Sequence, residues 1–424
     1  MTARLTIGCL SVVFLLAVVH TAARGQQNPY RLKEPDQRKL CLECHTDLKQ
    51  KLTKRFVHTA VSQGDCAGCH DPHVSEHGKL LAADERQICS TCHDAVVPAR
   101  ARSTHKVAAD GECQKCHDPH AADNPGNLLA KGNDLCFGCH EAFGKAVTNA
   151  KFRHSPVEQG CVTCHGPHAS ADAASLLKSA VPGICVNCHK PDTATFVSRH
   201  KGYPVGQASC TSCHDPHGSN QPALLLPNVH APLSNGSCTQ CHEAPDAAAP
   251  FATKRPGFEL CKGCHADAVN AMLAKRWLHW PVADAKGCVN CHNPHAARQA
   301  SLLKADTASV CGRCHTDTMQ RIAATPVKHA PVKDGTCSAC HSPHGSDGGH
   351  LIDQPSIVNA CTTCHDYAKH SSHPIGEKAI DPRNKNLRVD CLSCHKGHGT
   401  EHKWMLLAAT NLELCTRCHT KYVR

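Results

Sequence analysis

The chain is short of the side chains that ordinarily make a protein core. Leu, Ile, Val and Phe account for 75 of its 424 residues, and aromatic residues for 4%. So thin a supply would ordinarily mean disorder, because too little apolar surface can be buried to offset chain entropy. Long apolar runs are missing too, apart from Leu10 to Val19. That run is too short to span a bilayer. With Arg4 before it and Ala22, Ala23 and Gly25 after it, residues 1–25 read as a secretory signal. An exported chain is expected, with no transmembrane segment once the signal is removed. Cys9 precedes the apolar run, the wrong order for a lipid-anchoring cysteine. No segment alternates as a strand does, and no non-repeat stretch is left to build a substrate pocket.

What the chain has in excess is cysteine and histidine, 33 and 36 residues. All the cysteines but Cys9 fall in sixteen Cys-x-x-Cys-His pentapeptides. Their first thiols are Cys41, Cys66, Cys89, Cys113, Cys136, Cys161, Cys185, Cys210, Cys238, Cys261, Cys288, Cys311, Cys337, Cys361, Cys391 and Cys415. The second thiols are Cys44, Cys69, Cys92, Cys116, Cys139, Cys164, Cys188, Cys213, Cys241, Cys264, Cys291, Cys314, Cys340, Cys364, Cys394 and Cys418. The closing histidines are His45, His70, His93, His117, His140, His165, His189, His214, His242, His265, His292, His315, His341, His365, His395 and His419. Disulfide frameworks and zinc sites also use closely spaced cysteines. Neither demands a histidine after every second cysteine, which here holds sixteen times out of sixteen. The pentapeptide is the attachment motif of c-type haem: two thiols add to the vinyl groups and the histidine binds iron. About sixteen covalent haems c are therefore expected, and their apolar macrocycles replace the missing core. The haem-free chain is expected to be largely unfolded, as small metal-dependent domains are without metal.

The formal charge of +10 does not point to nucleic acid. Two propionates per haem, set against roughly +1 at each oxidised iron, bring the signal-free holoprotein to roughly −8. Lysines and arginines are expected to neutralise propionates.

The motifs are of two alternating kinds, so the period is near 48 residues. Kind A follows a His-x-Pro-Val-like segment, such as His154-Ser155-Pro156-Val157 before Cys161, and precedes Pro-His, such as Pro167-His168. Kind B has neither and follows a Leu-Leu pair such as Leu80-Leu81, Leu128-Leu129, Leu176-Leu177 or Leu302-Leu303. After B motifs the apolar spacing turns helical, most clearly from Ala266 to Trp280, until proline and glycine break the chain. The expected fold class is mostly irregular with short α-helices: an elongated tandem array with little or no sheet, the haems forming the core. The alternation fails once, because the motifs at Cys238 and Cys210 are both A-like and His242 is followed by Glu243-Ala244-Pro245-Asp246. That break divides the chain into two haem-binding lobes, 26–235 and 236–424, with eight motifs each.

From Cys41 to His419 this pattern resembles the doubled-CXXCH group of multihaem cytochromes c. The resemblance implies a periplasmic or extracellular electron-transfer protein. Its implied partners are a periplasmic donor, an outer-membrane porin, a surface cytochrome or copies of itself. Decahaem relatives that plug porins have fewer motifs than the sixteen here.

Outside the motifs and the signal stand 19 histidines, more than the sixteen that full bis-histidine coordination needs. His58, His105, His154, His200, His230, His279 and His329 precede A motifs by seven to ten residues, and His370 or His373 fills that role before Cys391. A helix rises about 1.5 Å per residue, so His279 is too far along from His265 to close over the same haem. Folded back by the following loop, these histidines are expected to serve the A haem just ahead. Pro-His histidines cannot reach the far face of their own haem. His73, His120, His168, His295, His344 and His398 are therefore assigned to the B haem that follows, as in the tetrahaem c3 cytochromes. His217 falls to the haem at Cys261, and the first haem draws on a later histidine such as His58 or His77. With both axial positions filled, iron exchanges electrons and offers no substrate site. An electron carrier is thus expected rather than a reductase, which would need an open iron. A self-assembling cytochrome filament would share the same chemistry.

Overall fold

Each pentapeptide closes one tight turn, in which the histidine amide donates to the first cysteine's carbonyl at 2.9–3.2 Å, from His45 through His419. This computed structural model describes residues 33–34, 36–367, 374–376 and 378–422. The expected signal and the ligand candidates His370 and His373 lie outside the described residues.

The two motif kinds fold differently. B motifs sit at the C-terminal ends of short α-helices: Gln37–Cys44, Glu85–Ser90, Asn133–Phe137, Gly183–Val186, Gly257–Lys262, Thr307–Gly312, Ile357–Thr362 and Asn411–Thr416. Several are started by side chains that accept the first free amides, as Asp84 does from Gln87 and Asp306 from Ser309. Thr410 and Glu413 do so reciprocally. A motifs lie in single 3-10 turns such as Cys113–Lys115, Cys161–Thr163, Cys238–Gln240 and Cys337–Ala339. A left-handed glycine stands just upstream, Gly111 at φ 80° and Gly335 at φ 72°, and stops the preceding helix from running into the thiols.

The helix expected from Ala266 to Trp280 ends at Leu273. Asp347 stops it, accepting from Lys275 Nζ at 2.8 Å and the Arg276 amide at 3.1 Å, and Trp277–Leu278 turns into a strand. Trp277 and Trp280 are 50% and 65% exposed, so their apolar spacing marks no buried face.

Among the described residues, sheet is limited to two-stranded antiparallel pairs, and six of them join two-residue segments in one recurring way. A segment before an upstream histidine pairs with one after a Pro-His-type histidine. Phe56–Val57 pairs with Ala121–Ala122, Ser103–Thr104 with Ala169–Ser170, and Phe152–Arg153 with Gly218–Ser219. Asn228–Val229 pairs with Ala296–Ala297, Trp277–Leu278 with Gly345–Ser346, and Val327–Lys328 with Gly399–Thr400. The downstream members are small because they are packed tightly, Ala121 and Ala296 being fully buried. Buried apolar side chains are otherwise mostly Ala and Val, joined by Leu226 and Tyr203.

The chain forms two compact units. The described residues up to His93, with 112–129, make the first, which holds the Phe56–Val57 pair. Residues 94–111 and 130–424 make the second, which holds the other five.

Candidate haem-binding site

The histidines come together in twos. In the first unit His58 faces His93, and His70 faces His120, with ring centres 6.0 and 6.1 Å apart. In the second, His105 faces His140, His154 faces His189, His165 faces His217 and His200 faces His214. His230 faces His265, His242 faces His295 and His279 faces His315. His292 faces His344, His329 faces His365 and His341 faces His398. All twelve separations fall between 5.8 and 6.3 Å. Two axial metal–nitrogen bonds of about 2 Å, each extended by roughly 1.2 Å to a ring centre, predict about 6.4 Å. Each pair therefore fits the two axial ligands of one haem iron, with the motif thiols beside it to take the vinyl groups.

This geometry corrects the expected assignment of the second ligands, which is reversed. An upstream histidine faces the B histidine 35 or 36 residues ahead, as His58 does His93 and His279 does His315. A Pro-His-type histidine faces the A histidine 50 to 57 residues behind, as His120 does His70 and His398 does His341. His217, expected at the Cys261 haem, stands opposite His165, and His230 takes the place beside His265.

The cause is a backbone clamp between the two histidine types. The amide of His58 donates to the carbonyl of His120 at 2.9 Å, and that of His279 to His344 at 3.1 Å. His105 and His168 are joined in the same way at 2.9 Å. Beside it, Nδ1 of His154, His230 and His279 contacts the carbonyls of Pro216, Pro294 and Pro343 at 2.7–2.9 Å. The Pro-His dipeptide thus presents one histidine and uses its proline carbonyl to orient another. An N–H held there leaves Nε2 free for metal.

The A histidines are oriented by a second device. Nδ1 of His70 contacts the Lys79 carbonyl at 3.0 Å, and His214, His292, His341 and His395 do the same nine residues on, at 2.7–2.9 Å. The accepting residues Lys79, Ala223, Ser301, His350 and Trp404 all have φ between 52° and 60°. This left-handed kink turns the carbonyl toward the ring at a small strain cost. The leucine two residues further on bridges the same histidine, as in His70 with Leu81 and His292 with Leu303. The Leu-Leu pairs, attributed to B motifs on sequence position, therefore serve the A motifs before them. The recurring offset, nine residues in most copies and ten at His165 with Ser175, is the signal that would have revealed it.

Burial pushes the His214, His295 and His344 imidazoles below their ordinary range, holding them neutral as a metal ligand must be. Neighbouring thiols also meet. The first thiol of a B motif lies against that of the next A motif: Cys41 by Cys66, Cys185 by Cys210, Cys311 by Cys337. Burial and the adjacent Cys113 raise the Cys89 thiol to about 12.

At the break, the missing B motif and the missing Pro-His compensate for each other. His214 would look to a Pro-His after Cys238, where Ala244-Pro245 stand instead; His200, left without a B motif ahead, faces His214 at 6.3 Å. His242 keeps the A geometry, with Nδ1 3.1 Å from the Phe251 carbonyl. The residues around the break are joined by Arg298, which donates to Asp215 at 2.5 Å, and by Asn293, which donates to Ser212 at 3.0 Å.

Eight stretches of the chain match the family model of the doubled CXXCH motif: 58–97, 105–145, 154–194, 203–229, 230–270, 279–320, 329–370 and 384–424. The chain belongs to the doubled-CXXCH family. No curated protein matches it. In this doubled-CXXCH chain, six matches begin on an upstream histidine and end just past the next B motif. The family's unit of sequence therefore coincides with one closed imidazole pair, as His58 with His93. The short match 203–229 covers the motif that lost its B companion, and the motif at Cys41 precedes all eight. Membership makes this a multihaem c-type cytochrome with covalently bound haem c, suited to carrying electrons. No described helix is long and apolar enough to cross a membrane.

Among the described residues, two histidines assigned as ligands, His45 and His73, remain apart. His45 faces no second imidazole among the described residues, since His58 is engaged by His93. His73, also assigned as a ligand, has a side chain 91% exposed, 4.0 Å from Asp71.

Asp215 yields a pH prediction. Burial alone would raise its carboxyl, but hydrogen bonds from His217 and Arg298 hold it well below the carboxylate range. A depressed folded value stabilises above the unfolded value of about 3.9 and is lost as pH falls through that region. Asp215→Asn is expected to lower stability at neutral pH and to flatten its dependence between roughly pH 5 and 2. Denaturant melts of the holoprotein across that range check this.

Proposed function

We propose that this chain holds sixteen haems c, one per pentapeptide, and relays electrons from periplasmic donors to outer-membrane or extracellular acceptors. Bound haem c supplies one-electron exchange at its iron. The chain's part is to hold both axial positions with imidazole, and the twelve facing pairs at 5.8–6.3 Å are the observation that carries the reading. A position filled by protein is closed to substrate, which favours a carrier over a reductase. Thiol-to-thiol contacts between successive motifs, such as Cys361 by Cys391, support short steps along the sequence. Export is supported by the signal-like residues 1–25 and by the site of haem c attachment. Partners are other redox proteins, with no role for nucleic acid. The break after Pro-His217 supports two haem sets that divide ahead of His230 rather than at 235: among the described residues no imidazole pair spans 218–229, whereas His230 faces His265 across the expected boundary between 26–235 and 236–424.

Intact-mass spectrometry of denatured holoprotein tests the haem count. Sixteen attached haems are expected; a count of eight, one per family match, would defeat the one-motif, one-haem assignment.

A further inference from the structure

The segment after His73 repeats the local hydrogen bonds of edges that the chain elsewhere uses for pairing. The His73 amide contacts Asp71 Oδ1 at 3.0 Å, as the His120 amide contacts Asp118 Oδ1 at 3.0 Å. Ser75 Oγ donates to the Leu81 carbonyl, as Ser219 does to Leu225. The His77 amide returns to Ser75 Oγ at 2.9 Å, as Gln221 does to Ser219 at 3.0 Å. What differs is the partner. Ala121, Gly345 and Gly399 are buried against an upstream strand, whereas Val74 is 74% exposed.

The internal copies also say what belongs there. Phe56–Val57 pairs beside Ala121–Ala122, after the Cys113 motif, and delivers His58 to His93 of the preceding B motif. Shifted back one repeat, a strand beside Val74–Ser75 would deliver its histidine to His45, which has no facing imidazole among the described residues. Counting back 35 residues from His45 reaches Leu10, and residues 11–44 hold no histidine but His20 of the signal-like segment. A single extended segment carrying a histidine would account for both the open edge and the lack of an imidazole opposite His45 among the described residues. Its charge is specified as well. Asp123, just past Ala122, pairs with Lys54 at 3.4 Å, and Asp347, just past Ser346, with Lys275 at 2.8 Å. Glu76 holds the equivalent place after Ser75 and is exposed.

We propose that the edge at Val74–Ser75 docks a redox partner. That chain presents an extended dipeptide, with a basic residue before it and a histidine after it, and the histidine completes the haem at Cys41 and Cys44. This rests on the haem-carrying role above. The partner adds a strand by backbone pairing, Glu76 selects its basic residue, and its imidazole becomes the sixth ligand. Until it docks, that iron is open to a small ligand.

The test uses the full holoprotein, with carbon monoxide and a peptide copied from residues 54–61, Lys-Arg-Phe-Val-His-Thr-Ala-Val. Haem content is measured first. A chain that loads no haem refutes the carrier reading, whereas a loaded chain decides the present inference alone. The reduced protein is expected to bind one equivalent of carbon monoxide, lost in the Cys41→Ala, Cys44→Ala variant. The peptide should displace it, the peptide with alanine for histidine should not, and Glu76→Lys should weaken displacement roughly three-fold. The inference is overturned if the loaded wild type binds no carbon monoxide, which would place a ligand of its own on this iron. It is also overturned if carbon monoxide binds and the histidine peptide fails to compete.

Discussion

Replacing His120 with alanine is expected to open the haem at Cys66 and Cys69, far back along the chain, and to leave the haem at Cys136 and Cys139 closed. His120 faces His70 at 6.1 Å with the rings 9° from parallel, and His140 is faced instead by His105 at 6.2 Å. The variant should bind one more equivalent of carbon monoxide than its parent when reduced, and show a new high-spin signal when oxidised. Replacing Cys66 and Cys69 as well should abolish the added binding; replacing Cys136 and Cys139 should not. The reverse result would restore the assignment by nearest motif. Because an iron left with one imidazole also shifts in potential, one step in a redox titration should move while the others stay.

The second large effect is expected at Gly399. Its φ of 134° is a conformation other residues rarely adopt, and a Cβ there would run into the Val327 carbonyl and lie 3.0 Å from the Thr325 methyl. Gly399–Thr400 pairs with Val327–Lys328, and His398 beside it faces His341 at 6.0 Å. Gly399→Ala must either part the strands or strain the backbone, at about 1–3 kcal/mol. It should lower the unfolding midpoint and release His398, opening the haem at Cys337 and Cys340 to carbon monoxide. Gly349→Ala, where an added Cβ meets nothing within 4 Å, is the control and should stay within about 0.5 kcal/mol of the parent. Equal effects in both would show that the strand pair does not position His398.

These two positions mark where the sequence is legible and where it is not. The pentapeptides, the two motif kinds and the types of histidine that accompany them are all local patterns, and the fold keeps each of them. The pairing of those histidines is not local. Spacing along the chain says only that His279 cannot close over the haem beside His265; it does not say which other haem it meets. That choice belongs to the Pro343 carbonyl and the His344 clamp, 64 and 65 residues downstream. The over-long helix at Ala266 fails for a similar reason. Its end is set by Asp347, a residue that no window around Leu273 contains. Even the Leu-Leu pair was visible without being assignable, because its carbonyl partner lies behind it, across a left-handed kink.

The two reaches of the histidines also set a schedule. As a chain emerges with its N-terminus first, His93 can meet His58 as soon as residue 93 is out, whereas His70 must wait for His120. The same inversion recurs downstream, where His189 can be complete before His165 and His315 before His292. The thiol pairs emerge in sequence order, but the second imidazoles arrive in a leapfrog. The A motifs at Cys66, Cys161 and Cys288 therefore spend some fifty residues of synthesis half-liganded, whereas that at Cys210, faced by the upstream His200, does not wait.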